Sequence, residues 1–177
     1  GSFDVPTKDS DVYIDPDAIT ATVTGVSGGD YEQVATGQSA TAKITDTINE
    51  TVLTLGDVTV NEADNGTATI KLSLDQDTKV ALTVTLDAKD AAGNNIEVTF
   101  PAGTTAGTEI ESPAFVINND EDVYNDNSEF TVSVVSTTND TTVDDHFEKL
   151  ITTDTGKVTV TDTINETVLT LGDVTVN

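Results

Sequence analysis

An internal repeat of seventeen identical residues constrains the fold of this chain more than any other feature of its sequence. The sequence TDTINETVLTLGDVTVN occupies residues 45–61 and returns at residues 161–177, 116 positions later. Shared composition does not produce so long an identity, so the chain contains parts of a tandem array. Repeated modules of this length set the reach, stiffness or valency of a protein, and they do not point to a unique catalytic centre.

Looser matches upstream extend the repeat beyond its identical segment. Asp11-Val12-Tyr13 returns as Asp122-Val123-Tyr124, and Asp30-Tyr31-Glu32 returns as His146-Phe147-Glu148. The spacing between matches rises from 111 to 116 positions along this stretch. One loop is therefore expected to be five residues longer in the second copy.

Apolar residues recur at every second position, which is the period of a half-buried strand. The alternating sets are Leu53/Leu55, Val58/Val60, Ile70/Leu72/Leu74, Val80/Leu82/Val84/Leu86, Ile96/Val98/Phe100, Phe115/Ile117, Phe130/Val132/Val134 and Val158/Val160. Gly56-Asp57 interrupts the first strand, where a bulge or a switch between sheets would fit. Seven strands, A to G, separated by polar turns predict an all-β fold of immunoglobulin-like antiparallel β-sandwich repeats in tandem.

The repeat also predicts the domain boundaries. Residues 1–50 correspond to the C-terminal part of one repeat (strands E to G), residues 51–162 to a complete sandwich, and residues 163–177 to a junction and the first strand of the next repeat. Partial repeats leave strand edges that need cover. We therefore expect contacts with neighbouring repeats, and intermolecular pairing in which strand A of one chain adds to the fragment of another.

The charge of the chain excludes several classes of partner. Thirty-two acidic residues against seven basic ones give a formal net charge of −25. Nucleic acid and anionic membranes require a basic surface, so neither is an expected partner. The sequence has no cysteine and no apolar run long enough to span a membrane. The acidity fits either a solvated, salt-adapted surface or a set of cation ligands, and an extracellular protein without disulfides needs another means of stabilisation.

Topology brings many of these carboxylates to one pole of the predicted sandwich. In an antiparallel sandwich, the A–B, C–D and E–F loops meet the end of strand G. The acidic residues expected there are Glu62, Asp64, Asp87, Asp90, Asp120, Asp122, Asp126 and Asp162. Their mutual repulsion is costly unless a cation lies among them. Because Ca²⁺ takes about six to eight oxygen ligands in flexible geometry, the loops predict a calcium site.

The first, partial repeat carries a second copy of this arrangement. Its acidic residues are Asp9, Asp11, Asp15, Asp17 and Asp46. An ion held by Asp46 together with Asn49 or Glu50 would limit bending at the junction between repeats. The opposite pole is acidic as well, with Asp140, Asp144, Asp145 and Asp154. Plain solvated turns therefore stand as the alternative to calcium.

Four short segments, taken in order, resemble a known family. They are Val60-Asn61-Glu62, the FPAG turn at 100–103, the DEDVYNDNSEF loop at 120–130 and the VTVTDT strand at 158–163. Together they look like Calx-β-type repeats. The junction sequence TDTINETVLTLGDVTVNE more specifically resembles the tandem extender repeats of giant RTX adhesins, the large adhesion proteins of Gram-negative biofilms.

The resemblance implies a calcium-bound sandwich, export by a type I secretion system and an extracellular location on the bacterial cell surface. It implies a structural role, in which the repeats extend the adhesin from the cell. The calcium positions of the Calx-β pattern fall on Glu62, Asp120, Asp122, Asp126 and Asp162.

Two other functions compete with a calcium-stabilised spacer. A carbohydrate- or protein-binding adhesion module is the main alternative, although it would favour exposed aromatic residues, and the chain has three Tyr, five Phe and no Trp. An enzyme is not expected, because no nucleophile–base pair or buried acid pair is visible. His146 is the single histidine, and a lone loop histidine is an ordinary surface residue.

Overall fold

The computed structural model describes residues 11–14, 18–44, 47–62, 66–117, 124 and 128–176. Within these residues the protein is all-β and contains no helix, and so no helix that could cross a membrane. The thirteen strands of the described residues are β1 Ala18–Thr22, β2 Ser39–Lys43, β3 Glu50–Leu55, β4 Val58–Asn61, β5 Thr67–Ala68, β6 Lys71–Leu74, β7 Leu82–Lys89, β8 Asn95–Phe100, β9 Ile110–Glu111, β10 Phe115–Val116, β11 Ser128–Thr137, β12 Lys149–Ile151 and β13 Thr155–Thr161.

The chain forms two compact units. The smaller unit comprises residues 1–50 together with residues 140–149, and the larger one comprises residues 51–139 and 150–177. The loop that follows β11 therefore belongs to the smaller unit, although the strands on either side of it lie mainly in the larger one.

The larger unit contains a five-stranded sheet and a four-stranded sheet, an arrangement that is consistent with a β-sandwich. The five-stranded sheet has the order β4-β13-β11-β7-β8, and the four-stranded sheet has the order β12-β3-β6-β9. Strands β4 and β13 are parallel, whereas β13, β11, β7 and β8 follow one another in antiparallel pairs. The predicted all-β class is confirmed.

The first predicted strand of the larger unit changes sheets at Gly56-Asp57. Strand β3 before this point pairs with β6, and β4 after it pairs with β13 in the other sheet. The Gly56 N–H donates to the Lys71 carbonyl at 2.8 Å, and Asp57 Oδ1 accepts from the Lys157 N–H at 2.8 Å. Of the two alternatives that the sequence left open, a bulge or a switch, the structure has the switch.

The predicted alternation is reproduced in the core of the larger unit. The fully buried residues include Leu53, Leu72, Leu86, Val84, Val98, Phe100, Phe115, Val132 and Val158. Each such side chain contributes about 1.5–3 kcal/mol of transfer free energy when it leaves water. Val58 and Val60 are half-buried, because β4 lies at the edge of its sheet. Phe130 and Val134 are also half-buried.

The two sheets approach closely at Gly156 in β13. A Cβ atom at this position would lie 2.9 Å from the Gly56 carbonyl oxygen and 3.5 Å from Leu55 Cβ. Real Cβ atoms do not come this close to backbone oxygen, so only glycine fits here without a shift of the chain.

The predicted strand E, Phe115/Ile117, corresponds to the short strand β10, and a further short strand that was not predicted, β9, precedes it. Ser112 lies between them, and its N–H donates to the Ile70 carbonyl at 2.8 Å while its Oγ accepts from the Ile70 N–H at 3.1 Å. Pro113 follows, and because proline has no backbone N–H it cannot donate a hydrogen bond to a neighbouring strand. The side chain of Ser112 thus satisfies a backbone donor at the point where regular pairing stops.

The smaller unit contains the antiparallel hairpin of β1 and β2. Ala18 pairs with Lys43 in this hairpin, and Glu129 pairs with Thr159 between β11 and β13 of the larger unit. Ala18 and Glu129 are related by the repeat spacing of 111 positions, and Lys43 and Thr159 are related by the spacing of 116 positions. The two copies of the repeat therefore share one pairing register as well as a sequence pattern.

Candidate calcium-binding pole and repeat contact

The parallel pairing of β4 with β13 brings two predicted calcium ligands to one edge of the larger unit. Val58 pairs with Val158, and the register continues to Asn61 and Thr161. Glu62 directly follows β4, and Asp162 directly follows β13. The Glu62 N–H donates to the Thr161 carbonyl at 3.0 Å. Parallel strands end at the same edge, which is why residues a hundred positions apart in sequence are neighbours here.

Burial distinguishes this pair of carboxylates from the many exposed acids. Glu62 is only 5% exposed, and its Oε1 accepts from the Thr163 N–H at 2.7 Å. Oδ1 of Asp162 is also buried. A carboxylate removed from water is costly unless charge and hydrogen bonds compensate it. Two such groups at adjacent strand ends fit the oxygen donor set of a hard divalent cation.

The acidic E–F loop rejoins the sheet at this same edge. Ser128, the first residue of β11, pairs with Val160 near the end of β13. The predicted ligands Asp120, Asp122 and Asp126 precede it, and they lie outside the described residues, as does Asp64. The start of β11, which directly follows this loop, therefore lies at the same edge as Glu62 and Asp162.

Glu62 and Asp162 do not by themselves make a complete site. Among the residues that the structure describes, no group of three or more Asp, Glu or His side chains could hold a metal ion. Calcium takes more ligands than two carboxylates supply. A site at this edge would need oxygens from the loops around residues 63–65 and 118–127.

The two carboxylates predicted in the C–D loop have structural partners, and the prediction is wrong for Asp87, which lies within β7 because that strand continues to Lys89. Asp87 Oδ1 accepts from the Ser133 N–H at 2.9 Å, beside the register shift in β11. Asp90 Oδ1 accepts from the N–H groups of Ala92 at 2.9 Å and Asn94 at 2.8 Å, and these bonds hold the turn before β8. Hydrogen bonds, above all from the Asn94 side chain, lower the pKa of Asp90 from its usual value. These two acids therefore fit the solvated, hydrogen-bonded alternative.

In the smaller unit, residues 11–14 pair with residues 145–148, which belong to the loop between β11 and β12. Tyr13 and Phe147 form an antiparallel bridge. The Ile14 N–H donates to the His146 carbonyl at 2.9 Å, and the Glu148 N–H donates to the Val12 carbonyl at 3.0 Å. The first segment precedes the F-like strand β1 of one repeat copy, and the second belongs to the F–G loop of the following copy. The contact thus joins consecutive repeats.

The two aromatic rings of this contact stack on each other. The ring centroids of Tyr13 and Phe147 lie 5.6 Å apart at an interplanar angle of 24°. Tyr13 is 8% exposed and Phe147 is 4% exposed. Aromatic pairs of this kind add about 0.5–1.5 kcal/mol to the free energy of area burial.

Asn49 links the junction to both sides of the contact. Its N–H donates to Glu148 Oε2 at 2.5 Å, and its Nδ2 donates to the Asp11 carbonyl at 2.6 Å. Glu50, the adjacent junction residue, forms an exposed ion pair with Lys149 at 2.6 Å. Of the predicted ligands in this unit, Asp9, Asp15 and Asp46 lie outside the described residues, as does Asp17.

The only histidine has a structural partner in the same loop. His146 Nδ1 accepts from the Asp140 N–H at 2.9 Å. The Asp140 carboxylate accepts from the hydroxyl of Thr142 at 2.6 Å, and this bond is the main reason that the pKa of Asp140 lies below its usual value. These hydrogen bonds among Asp140, Thr142 and His146 close a turn of the loop.

Sequence reasoning did not identify Phe147 or Glu148 as contact residues. The signal was nevertheless present, because both belong to a segment that recurs as Asp30-Tyr31-Glu32.

The comparison with known families gives a match over two segments of the chain. The family model of the LapA domain matches residues 1–47 and, separately, residues 49–163. No curated protein matches the chain. Because the two matches together cover most of the sequence, the chain belongs to the LapA domain family, whose namesake LapA is a large adhesion protein of bacteria.

Proposed function

We propose that the chain is a calcium-stabilised structural extender of a long bacterial cell-surface adhesin. In this role, immunoglobulin-like or Calx-β-like repeats project a distal ligand-binding tip away from the cell, so that the parent protein attaches to surfaces and builds biofilm. The parent would be an extracellular RTX-type adhesin exported by type I secretion. The single observation that carries this proposal is the contact between residues 11–14 and 145–148 in the smaller unit.

This contact suits an extender because it restrains the junction between repeats. Residues 47–49 supply the connection, and Asn49 is bound to groups from both copies, Asp11 and Glu148. A junction held by backbone bonds, a buried ring pair and a bound amide has fewer accessible orientations than a free linker. Restricted junctions allow a chain of modules to reach farther than a flexible string of the same length.

Calcium is proposed for the edge of the larger unit where Glu62 and Asp162 lie. The burial of Glu62 and the net charge of −25 support a cation there. Glu62 and Asp162 would hold the ion, with Asp120, Asp122 and Asp126 from the E–F loop. In the first copy, the corresponding ligands would be Asp9, Asp11, Asp15 and Asp46, with Asn49 and Glu50 at the junction. Bound calcium would neutralise the repulsion among these carboxylates.

A thermal melt in chelator and in millimolar calcium tests the proposal. An ion that binds only the native state stabilises it by about 2.7 kcal/mol when its concentration is a hundredfold above Kd. We therefore expect a clear rise in Tm with calcium, and in small-angle scattering a larger and better-defined maximum dimension for an array of several repeats. Identical melts in the two buffers would refute the calcium assignment.

A further inference from the structure

Strands β7 and β11 of the larger unit separate before either of them ends. The pairing between them stops at Val134 and Leu86. Beyond this pair β7 continues to Lys89, and β11 extends in the other direction to its first residue, Ser128. Over these stretches β7 is paired with β8, and β11 is paired with β13. The two strands therefore form a fork within the five-stranded sheet.

Asp87 lies at the base of this fork and shows why the pairing stops. Its Oδ1 accepts from the Ser133 N–H at 2.9 Å, in the place that a main-chain carbonyl takes in a continuing antiparallel ladder. Among the described residues, no group donates to Oδ2 of the same carboxylate. Oδ2 can therefore accept from a ligand without loss of the bond to Ser133.

The backbone of Thr131 faces the open side of the fork. Alternate residues of a strand direct their N–H and C=O groups to the same neighbour, so Thr131 directs these groups as Ser133 does. The Ser133 N–H points towards β7, because it donates to Asp87. No strand of the described residues pairs with Thr131 on that side. One main-chain donor and one acceptor are thus left unpaired by the sheet.

A cavity of about 550 Å³ occupies the fork, and we call it the fork cavity. Its volume falls in the range of about 300–1,000 Å³ that is typical of small-molecule sites. The lining that matters for binding is the apolar set Val116, Phe130 and Val132 together with the polar set Asp87, Asp90 and Thr131. All six residues lie in the described part of the larger unit.

The apolar lining includes an aromatic ring that the core covers only in part. Phe130 and Val132 are two positions apart, so they lie on the same face of β11. Val132 is 1% exposed, whereas Phe130 is half-buried. Val116 in β10 is 43% exposed. The cavity therefore has an apolar floor with a ring surface that a ligand can cover.

These groups together match the chemistry of a sugar ring. A sugar has a face of C–H groups, and each of its hydroxyls both donates and accepts hydrogen bonds. The C–H face fits Phe130, and the hydroxyls fit the mixed donors and acceptors of Asp87 and Thr131. Small-molecule sites combine an apolar lining with a few placed polar groups in the same way.

The charge of the lining selects a neutral sugar over an anionic one. Asp87 and Asp90 both line the fork cavity, in a chain with a formal net charge of −25. Lys89 is the basic residue of the lining, and its Nζ donates to the side-chain oxygen of Asn95. An anionic ligand would meet two carboxylates here and be repelled.

We propose that the fork cavity binds a neutral sugar ring. The ring packs on Phe130, Asp87 Oδ2 accepts from one hydroxyl, and the backbone of Thr131 bonds a second hydroxyl. The site goes beyond the proposed extender function and does not depend on it. It would give one repeat of the shaft a binding activity of its own.

Amide NMR of the whole, unmodified chain tests the proposal directly. The probes are glucose, galactose, mannose and N-acetylglucosamine, each titrated into the labelled protein. We expect saturable shifts at the amides of Ala88, Gly93 and Thr131 with at least one of these sugars, and no shifts in the four-stranded sheet. No saturable shift at these three amides with any of the four sugars would overturn the inference.

Glucuronate is the matched control ligand, because it differs from glucose in carrying a carboxylate in place of the CH₂OH group. If Asp87 and Asp90 line the binding site, glucuronate binds several-fold more weakly than glucose does. Equal affinity for the two sugars would contradict a site lined by these carboxylates.

The variant Asp87→Asn tests the carboxylate itself. It keeps an oxygen that can accept from the Ser133 N–H, so the fork is preserved. We expect a several-fold loss of sugar affinity, because hydrogen bonds to an ionised acceptor are about twice as strong as those to a neutral one. Phe130→Leu keeps an apolar side chain but removes the ring surface, and it should weaken binding as well.

Glu97→Gln is the matched control variant, because it also neutralises one acid and lies outside the lining of the cavity. It should bind sugar as tightly as the unmodified chain. Unchanged affinity in Asp87→Asn and in Phe130→Leu would refute the proposed site. The titration of the unmodified chain decides the question even where a variant does not fold.

Discussion

The Asn49 N–H donates to Glu148 Oε2 at 2.5 Å, although 99 positions separate these two residues in the sequence. Asn49 belongs to the segment that connects one repeat copy to the next, and Glu148 belongs to the F–G loop of the later copy. A loop therefore returns to bind the connection that precedes its own domain.

Replacing Glu148 should weaken the smaller unit. Glu148→Ala removes the acceptor for the Asn49 N–H, and a lost hydrogen bond to a charged group costs about 1.5–3 kcal/mol. Glu148→Gln keeps an acceptor oxygen and should cost less. The measurement is hydrogen exchange of the amides in residues 11–14 and 47–49.

Lys149→Ala is the matched control for Glu148. It removes the partner of Glu50 from an ion pair in which both side chains are more than half exposed, and such pairs contribute about 0–1 kcal/mol. Equal loss of protection in Lys149→Ala and Glu148→Ala would contradict the importance of the Asn49 bond.

Glu62 should govern the response of the larger unit to calcium. We expect Glu62→Gln to lose much of the calcium-induced rise in Tm, because the neutral amide is a weaker calcium ligand than a carboxylate. In chelator the same change should be neutral or stabilising, since it removes a buried negative charge. The measurement is a thermal melt with and without calcium.

Glu97→Gln provides the charge-matched control. It removes one negative charge from an exposed position of β8 in the same unit. Its calcium response should equal that of the unmodified chain. A full calcium response in Glu62→Gln would show that the ion does not bind at this edge.

An alanine at position 156 should destabilise the larger unit. Its Cβ would lie 2.9 Å from the Gly56 carbonyl oxygen, and the backbone must move to accept it. Overpacking of this kind costs about 1–3 kcal/mol. Urea denaturation measures the effect, with Gly172→Ala as control, because a Cβ at Gly172 meets nothing within 4 Å. Indistinguishable midpoints for the two variants would refute the close approach of the sheets.

Acid should abolish the contribution of Asp90 to stability. Hydrogen bonds to the carboxylate lower its pKa in the folded protein, so the stabilisation is present above the unfolded value of about 3.9 and disappears as the pH falls through the lower folded value. The difference in urea midpoint between the unmodified chain and Asp90→Ala should therefore shrink as the pH falls below the unfolded value. A difference that does not change with pH would rule out this carboxylate as its source.

The sequence alone predicted the repeat, the longer strands of the larger unit and the break in the first strand at Gly56-Asp57, whereas the short strands β5, β9 and β12 were not predicted. Alternating residues such as Leu72 and Leu74 report burial directly, because a strand turns every second side chain to the same face. The alternation breaks at Gly56-Asp57, which predicted either a bulge or a switch between sheets there, and the strand pairing of the structure decided for the switch. The repeat by itself places Tyr13 and Tyr124 in equivalent positions, and likewise Tyr31 and Phe147.

The tertiary structure decided which carboxylates have partners and which loops meet. Asp90 and Glu62 look alike in the sequence as loop acids, yet Asp90 holds an exposed turn while Glu62 is buried at the end of a parallel strand pair. The assignment of residues 140–149 to the smaller unit is equally invisible in local pattern. The physical reason is that periodicity and propensity are local, whereas burial and the Asn49–Glu148 bond depend on groups about a hundred residues away.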